Sequence, residues 1–148
     1  MDHFVSFTID VYSCVFLASE VERIIRVVDI IPIPKSGVSV LGLINIHGNL
    51  CTVLDLRQLF VPEIKEFTLS DHIVITNKNG KQLGFLVEKI TGMSERDEKD
   101  LATLESIQSR QKNYSGLSVF KDGTFFFSDP EDCLVEMNMD KNSFLDKV

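Results

Sequence analysis

Short blocks of Val, Ile, Leu and Phe follow one another along the chain, separated by Gly, Asn-Gly, Asp-Gly or Pro rather than by long polar linkers. Such spacing predicts many short strands joined by tight turns. Residues 4–9 and 13–17 read as a strand pair around Asp10-Val11-Tyr12. Ser19 can cap a single turn through Glu22, and residues 24–31 form a β-branched strand that Pro32 and Pro34 stop. Residues 72–76 and 83–87 flank Asn77-Lys78-Asn79-Gly80, and residues 117–120 and 124–127 flank Lys121-Asp122-Gly123. Both interruptions carry the Asn-Gly or Asp-Gly pair that favours a hairpin. The stretch 94–113, SERDEKDLATLESIQSRQKN, reads as a solvated loop with at most a helical turn.

The run LGLINIHGNLCTVLDLRQLF, residues 41–60, is the most informative. Gly48-Asn49 between two apolar blocks predicts a two-residue hairpin loop, which opposes His47 to Leu50, Ile46 to Cys51, Asn45 to Thr52 and Ile44 to Val53. Opposed residues share a face, and faces alternate along each strand. One face then holds Ile44, Ile46, Cys51 and Val53, all apolar and therefore core. The other holds Leu43, Asn45, His47, Leu50, Thr52 and Leu54, a mixed surface. Asp55 follows the second strand, where its carboxylate can accept from the N–H groups that open a short helix at Leu56.

A strand, an acid and a short helix recur at 124–135, where Ser128-Asp129-Pro130-Glu131 places a cap, an early Pro and an acidic first turn. The echo is a weak internal repeat of two similar β units. An all-β barrel or sandwich with a terminal helix is the expected class.

Charge and cysteine usage narrow the function. Twenty-two acidic against 15 basic residues give a net charge of −7, which leaves no broad basic footprint for nucleic acid or anionic lipid. No apolar run approaches the ~20 residues of a membrane span and the start MDHFVSFTID lacks a secretory pattern, so a cytoplasmic protein is expected. Cys14, Cys51 and Cys133 are too scattered for a C-x-x-C pair and read as reduced thiols filling the core.

Catalytic patterns are sparse. His3, His47 and His72 have no metal-binding spacing, and the chain has neither G-x-S-x-G nor a Gly-rich phosphate loop. A Cys/His enzyme built on His47, Cys51 and Asp55 is the remote alternative. The face assignment opposes it, because Cys51 and His47 point to opposite sides of the sheet. No cofactor or metal is expected, and a binding module is the better reading than an enzyme.

Leu41-Gly42-Leu43-Ile44-Asn45-Ile46-His47-Gly48 followed by Val53-Leu54-Asp55-Leu56-Arg57 resembles the signature G-x-[VI]-N-[LI]-R-G…P-V-[VIL]-D-L-R of the CheW family of bacterial chemotaxis coupling proteins. Tyr114-Ser115-Gly116-Leu117 matches a second family element, and the strand Gly84 to Val87 fits a third. The resemblance covers roughly residues 4–137. It implies one domain of two intertwined, five-stranded SH3-like barrels, the first over 14–67 and the second over 68–137 plus the N-terminal strand 4–9.

The resemblance also implies a job without chemistry. Its members are adaptors that link the cytoplasmic tips of methyl-accepting chemotaxis receptors to the regulatory domain of a CheA-type histidine kinase. They offer barrel ends to the kinase and a groove between the barrels to the receptor helix. The implied partner surface is Val21, Arg23, Leu43, Asn45, His47 and Gly48, while Gly42, Asp55, Arg57 and Gly116 hold the motif's backbone. A monomer without direct membrane insertion is expected. Three positions depart: the family's usual Arg is His47, its frequent acid on the neighbouring segment is Arg23, and its strand Pro is Thr52. An Arg–acid pair cannot form from His47 and Arg23, so partner choice should differ from that of ordinary relatives. The alternative is a divergent scaffold or antagonist in a non-chemotactic kinase pathway such as surface motility.

Overall fold

The computed structural model describes residues 1–34, 40–61, 66–102 and 116–134. Tyr114, Ser115, the larger part of the polar stretch 94–113 and any helix beyond 134 lie outside the described residues. Ten strands are present among those described: β1 (Asp2–Ile9), β2 (Tyr12–Leu17), β3 (Val21–Arg26), β4 (Val40–Ile46), β5 (Asn49–Asp55), β6 (His72–Lys78), β7 (Lys81–Val87), β8 (Lys89–Arg96), β9 (Leu117–Val119) and β10 (Phe125–Phe127). Short 3₁₀ turns occupy Ala18–Glu20, Leu56–Leu59 and Glu98–Asp100, and a helical turn spans 130–134.

The strands form two five-stranded sheets. The first has the order β3-β6-β7-β5-β4 and the second β8-β1-β2-β10-β9. Each contains one parallel pair, β5 with β7 and β10 with β2. Taken in the chain order β3 to β7, the first sheet has the same pairing scheme as the second taken in the order β8, β9, β10, β1, β2. The N-terminal hairpin therefore completes the C-terminal sheet. Isolated backbone bridges lie just outside the named strands: Ile31, beyond β3, pairs with Leu43 of β4, and Leu101, beyond β8, pairs with Phe120, which follows β9.

The strands of the two sheets are shared across residues 67/68. Hairpin β6–β7, residues 72–87, belongs with β3 to β5, and β2 belongs with β1 and β10. Several local expectations shift. The 3₁₀ turn at Ala18 follows Leu17 with no side-chain cap, so Ser19 does not cap it. The expected strand over 24–31 lies in β3 only as far as Arg26, where the Val27 N–H turns to the Asp71 carbonyl at 3.1 Å. Residues 94–96 are the end of β8 rather than loop.

Three apolar clusters hold the sheets together. Val27, Ile44, Cys51, Val53, Ile73 and Ile75 fill the first sheet. Phe4, Val15 and Phe120 fill the second. A larger cluster lies between them, with Phe7, Cys14, Phe16 and Phe127 from one sheet against Leu54, Val74, Phe85 and Val87 from the other. Phe16 and Phe85 join across this interface with ring centroids 5.7 Å apart. Each such buried ring contributes about 1.5–3 kcal/mol. Strands covered on both faces need not alternate, which is why residues 73–76, Ile-Val-Ile-Thr, are buried without interruption. Leu54, placed on the mixed face by its sequence, is buried there because the second sheet covers that end.

Candidate functional site

The hairpin β4–β5 pairs Ile44 with Cys51, Asn45 with Leu50 and Ile46 with Asn49, so its two-residue loop is His47-Gly48 and not Gly48-Asn49. Both loop residues have positive φ, 50° and 89°, the mark of a type I′ turn whose twist matches the strands. His47 therefore projects from the turn rather than from a strand face. Asn45 fixes the turn: its Oδ1 accepts from the Gly48 N–H at 2.7 Å. Nothing crowds Gly48, so its glycine serves the backbone angle alone.

The turn lies over β3. Arg23 Nη1 donates to His47 Nε2 at 2.8 Å. A guanidinium has only donors, so the imidazole nitrogen must supply a lone pair, and the ring must be the neutral tautomer with its proton on Nδ1. The two residues are thus a hydrogen-bonded pair of a cation and a neutral ring rather than an Arg–acid pair.

Arg23, Asn45 and His47 border a shallow groove of about 520 Å³ along the seam between β3 and β4. Ile25, Arg26, Val28 and Asp29 complete one wall and Ile46 the other. The remaining candidates lie elsewhere. Val21 is half-buried against the cluster between the sheets, opposite Thr76. Leu43 is half-buried, and its N–H and carbonyl are both bonded to Ile31 at 2.8 Å.

Four wall residues escaped the sequence reading. The run Ile24-Ile25-Arg26-Val27-Val28 looks like a core strand, yet Ile24, Val28 and Ile31 are exposed, Val27 alone of the run is fully buried and Ile25 is partly buried against the same cluster. The useful signal was Arg26 and Asp29 interrupting an apolar strand.

Backbone-holding residues have definite contacts. Gly42 lies so close to Ile31 that an added Cβ would be 2.1 Å from the Ile31 carbonyl oxygen. At Gly116 the same atom would fall 2.3 Å from the Asp129 oxygen, and its own carbonyl accepts from the Ser128 N–H at 2.8 Å. Asp55 caps the turn at Leu56 by accepting from the Arg57 N–H at 3.0 Å.

The His47, Cys51 and Asp55 constellation is not assembled. Cys51 is buried inside the first sheet, and its thiol is pushed above its usual pKa by burial and by the charge of Glu22. The Nε2 of His47 is taken by Arg23, and the Asp55 carboxylate is taken by Arg57. Among the described residues no group of three or more His, Cys, Asp or Glu could hold a metal ion, and no helix is long and apolar enough to cross a membrane.

A second groove, of about 410 Å³, lies between the sheets, with Leu83, Phe85 and Pro130 among its lining. Charge pairs from both sheets cross its rim: Lys78 lies 3.8 Å from Glu20 and 3.9 Å from Asp129, and Lys81 lies 2.5 Å from Glu131.

The comparisons with known proteins agree with this architecture. A chemotaxis protein CheW of Thermotoga maritima is 32% identical over 96 residues, which cover 65% of this chain and 63% of that protein's length. The crystal structure of the scaffolding protein TtCheW from Thermoanaerobacter tengcongensis superposes with a TM-score of 0.70 at 19% identity, covering 84% of this chain and 87% of that one. That likeness carries the fold. The CheW-like domain model matches residues 3–135, and the chain belongs to that family.

Proposed function

We propose that this protein is a non-catalytic cytoplasmic adaptor that couples the tips of methyl-accepting chemotaxis receptors to the regulatory domain of a CheA-type histidine kinase. The observation that carries the reading is the CheW-like match over residues 3–135 on a body of two sheets with the same pairing scheme. An adaptor needs separate surfaces for separate partners, and two grooves are available. The seam beside Arg23 and His47 suits one partner, and the groove between the sheets suits a receptor helix laid against Leu83 and Phe85. Val21, Leu43 and Gly48 serve this surface by supporting its strands and turn.

Isothermal calorimetry with the regulatory domain of the kinase encoded beside this protein tests the reading. Binding at tens of micromolar or tighter is expected, as for a small transient interface. Absence of heat and of any size-exclusion shift at that concentration would end it.

The Arg23–His47 pair favours a second reading, a divergent scaffold in a kinase pathway other than chemotaxis. The family resemblance implies an opposite-charge pair at these positions, where this chain has a hydrogen bond between a cation and a neutral ring. The identity of the neighbouring kinase and receptor genes separates the two readings.

A further inference from the structure

The groove at the β3–β4 seam is formed in an unusual way. Successive side chains of a strand point to opposite faces. Yet the consecutive residues Ile25-Arg26, Val28-Asp29 and Asn45-Ile46 all border this one groove. A trough reached from both faces of two segments runs along their edges. The sheet order agrees, because among the described strands β3 pairs with β6 alone and β4 with β5 alone, which turns the outer edges at residues 22–26 and 44–46 toward the seam. Among the described residues the seam is crossed at two places, by the backbone bridge of Ile31, five residues beyond β3, with Leu43 on β4 and by the side-chain contact of Arg23 with His47. Unpaired strand edges take an extended chain readily, because its N–H and carbonyl groups supply the missing partners.

The charge along the seam selects the kind of chain. Among the described residues the Arg26 side chain has no hydrogen-bond or ion-pair partner, and the Arg23 guanidinium meets only the neutral imidazole of His47. Among the described residues Asp29 is the single carboxylate bordering the groove. Two uncompensated guanidinium groups therefore stand beside an apolar floor of Ile25, Val28 and Ile46 on a protein whose net charge is −7. A guanidinium is best satisfied by a carboxylate, which can displace the weaker imidazole acceptor from Arg23.

We propose that the seam is a docking slot for an extended, acidic segment of a partner protein. The segment's backbone adds to a free strand edge, its carboxylates bond Arg23 and Arg26, and its alternate apolar side chains cover Val28 and Ile46. The inference rests on the adaptor reading for the existence of a partner, and it names the chemistry of what one surface takes.

The test uses the full-length, ¹⁵N-labelled protein and an acetylated, amidated peptide alternating Glu with Val, alongside its Gln-for-Glu counterpart and a helix-forming peptide of the same charge. Backbone amides within residues 22–29 and 44–47 should shift and gain protection from hydrogen exchange with the Glu-Val peptide. Replacement of Glu by Gln, or of both arginines in an Arg23→Gln/Arg26→Gln protein, should weaken binding roughly five- to tenfold. Both arginines are exposed, so an unchanged melting curve confirms that the variant is folded. No shift at about 1 mM peptide, shifts confined to the groove beside Lys78, equal binding of the Gln peptide, or preference for the helical peptide would each overturn the proposal. Kinase-domain binding without peptide binding defeats this inference alone. Peptide binding without kinase-domain binding defeats the coupling reading and leaves this one standing.

Discussion

The guanidinium of Arg57 grips the carboxylate of Asp55 with two prongs, Nε to Oδ1 at 2.9 Å and Nη2 to Oδ2 at 2.9 Å, and both side chains are buried. Burial by itself pulls an arginine's pKa down. Here the hydrogen bonds and charge of Asp55, with smaller help from Asp71 and Glu88, more than reverse that pull, so Arg57 is held above its ordinary value. Asp55→Ala should cost about 3–5 kcal/mol, since it strands a buried cation and removes a cap. An apolar replacement of both residues should recover much of that loss. A denaturant double-mutant cycle measures the difference, and additive losses would show that the two residues act separately.

The two crowded glycines should be far less tolerant than the turn glycine. Gly42→Ala and Gly116→Ala each drive a Cβ into a backbone oxygen, at Ile31 and at Asp129, so losses of about 2 kcal/mol or more are expected. Gly48→Ala meets no neighbour and suffers only from its positive φ, about 1 kcal/mol. Thermal melts of the three variants give the ranking, and equal losses would contradict it.

His47 is a compromise between turn and surface. Asn at this position suits a type I′ turn better, so His47→Asn should leave stability equal or raise it by up to ~1 kcal/mol. It should also free Arg23 from its acceptor. A variant that melts well below the native protein would show that the Arg23 bond matters to the fold.

The face assignment of β4 and β5 was legible although the register was not. Moving the loop from Gly48-Asn49 to His47-Gly48 slides the partner strand by two residues, and a slip of two preserves every face. Ile44, Ile46, Cys51 and Val53 are accordingly buried together. Strand β8 was not legible, because KITGMSER offers only Ile90 and Met93 as apolar positions and its partner β1 lies at the far end of the chain. The resemblance placed Arg23 and His47 in one patch. Geometry was needed to show that they are donor and acceptor, and that the Arg26 side chain, three residues on, has no partner among the described residues.

Cys14 should be chemically silent in the folded state. Burial pushes its thiol up to about 12, and Cys51 is raised for the same first reason. Both remain protonated at pH 8, where reagents attack the thiolate. Labelling of Cys14 and Cys51 should appear only on unfolding, and fast labelling of either in the native protein would contradict their burial.

Acid should loosen the contact between β8 and the turn at 121–124. Asp122 accepts from the Thr124 N–H at 3.0 Å and from Arg96 Nη1 at 3.0 Å, while Arg96 stacks 4.8 Å over Phe120. The Thr124 N–H is the leading cause that lowers the Asp122 pKa below its ordinary 3.8, opposed by burial and assisted by Arg96. A lowered folded value means stabilisation that is complete above the unfolded pKa and lost as pH falls through the folded one. The effect should therefore appear below about pH 4 and stay small, under ~1 kcal/mol, because the carboxylate is 58% exposed. Asp122→Asn should flatten the stability curve in that acid range and leave it unchanged at pH 7 apart from a small offset. A curve of unchanged slope would assign the acid response to other carboxylates.

The order in which strands leave the ribosome differs from the order in which the sheets can close. Residues 21–87 deliver every strand of the first sheet in one unbroken run, while β1 and β2 emerge earliest and must wait for β8, β9 and β10. Phe4, whose cluster is completed by Phe120 and Phe126, thus stays unsheltered until the last strands emerge. A circular permutant that begins at Val21 and joins the old ends would draw each sheet from contiguous chain, which shortens the loops its contacts must close. Such a chain is expected to refold faster than the native one. Equal refolding rates would mean that capture of the waiting hairpin is not the slow step.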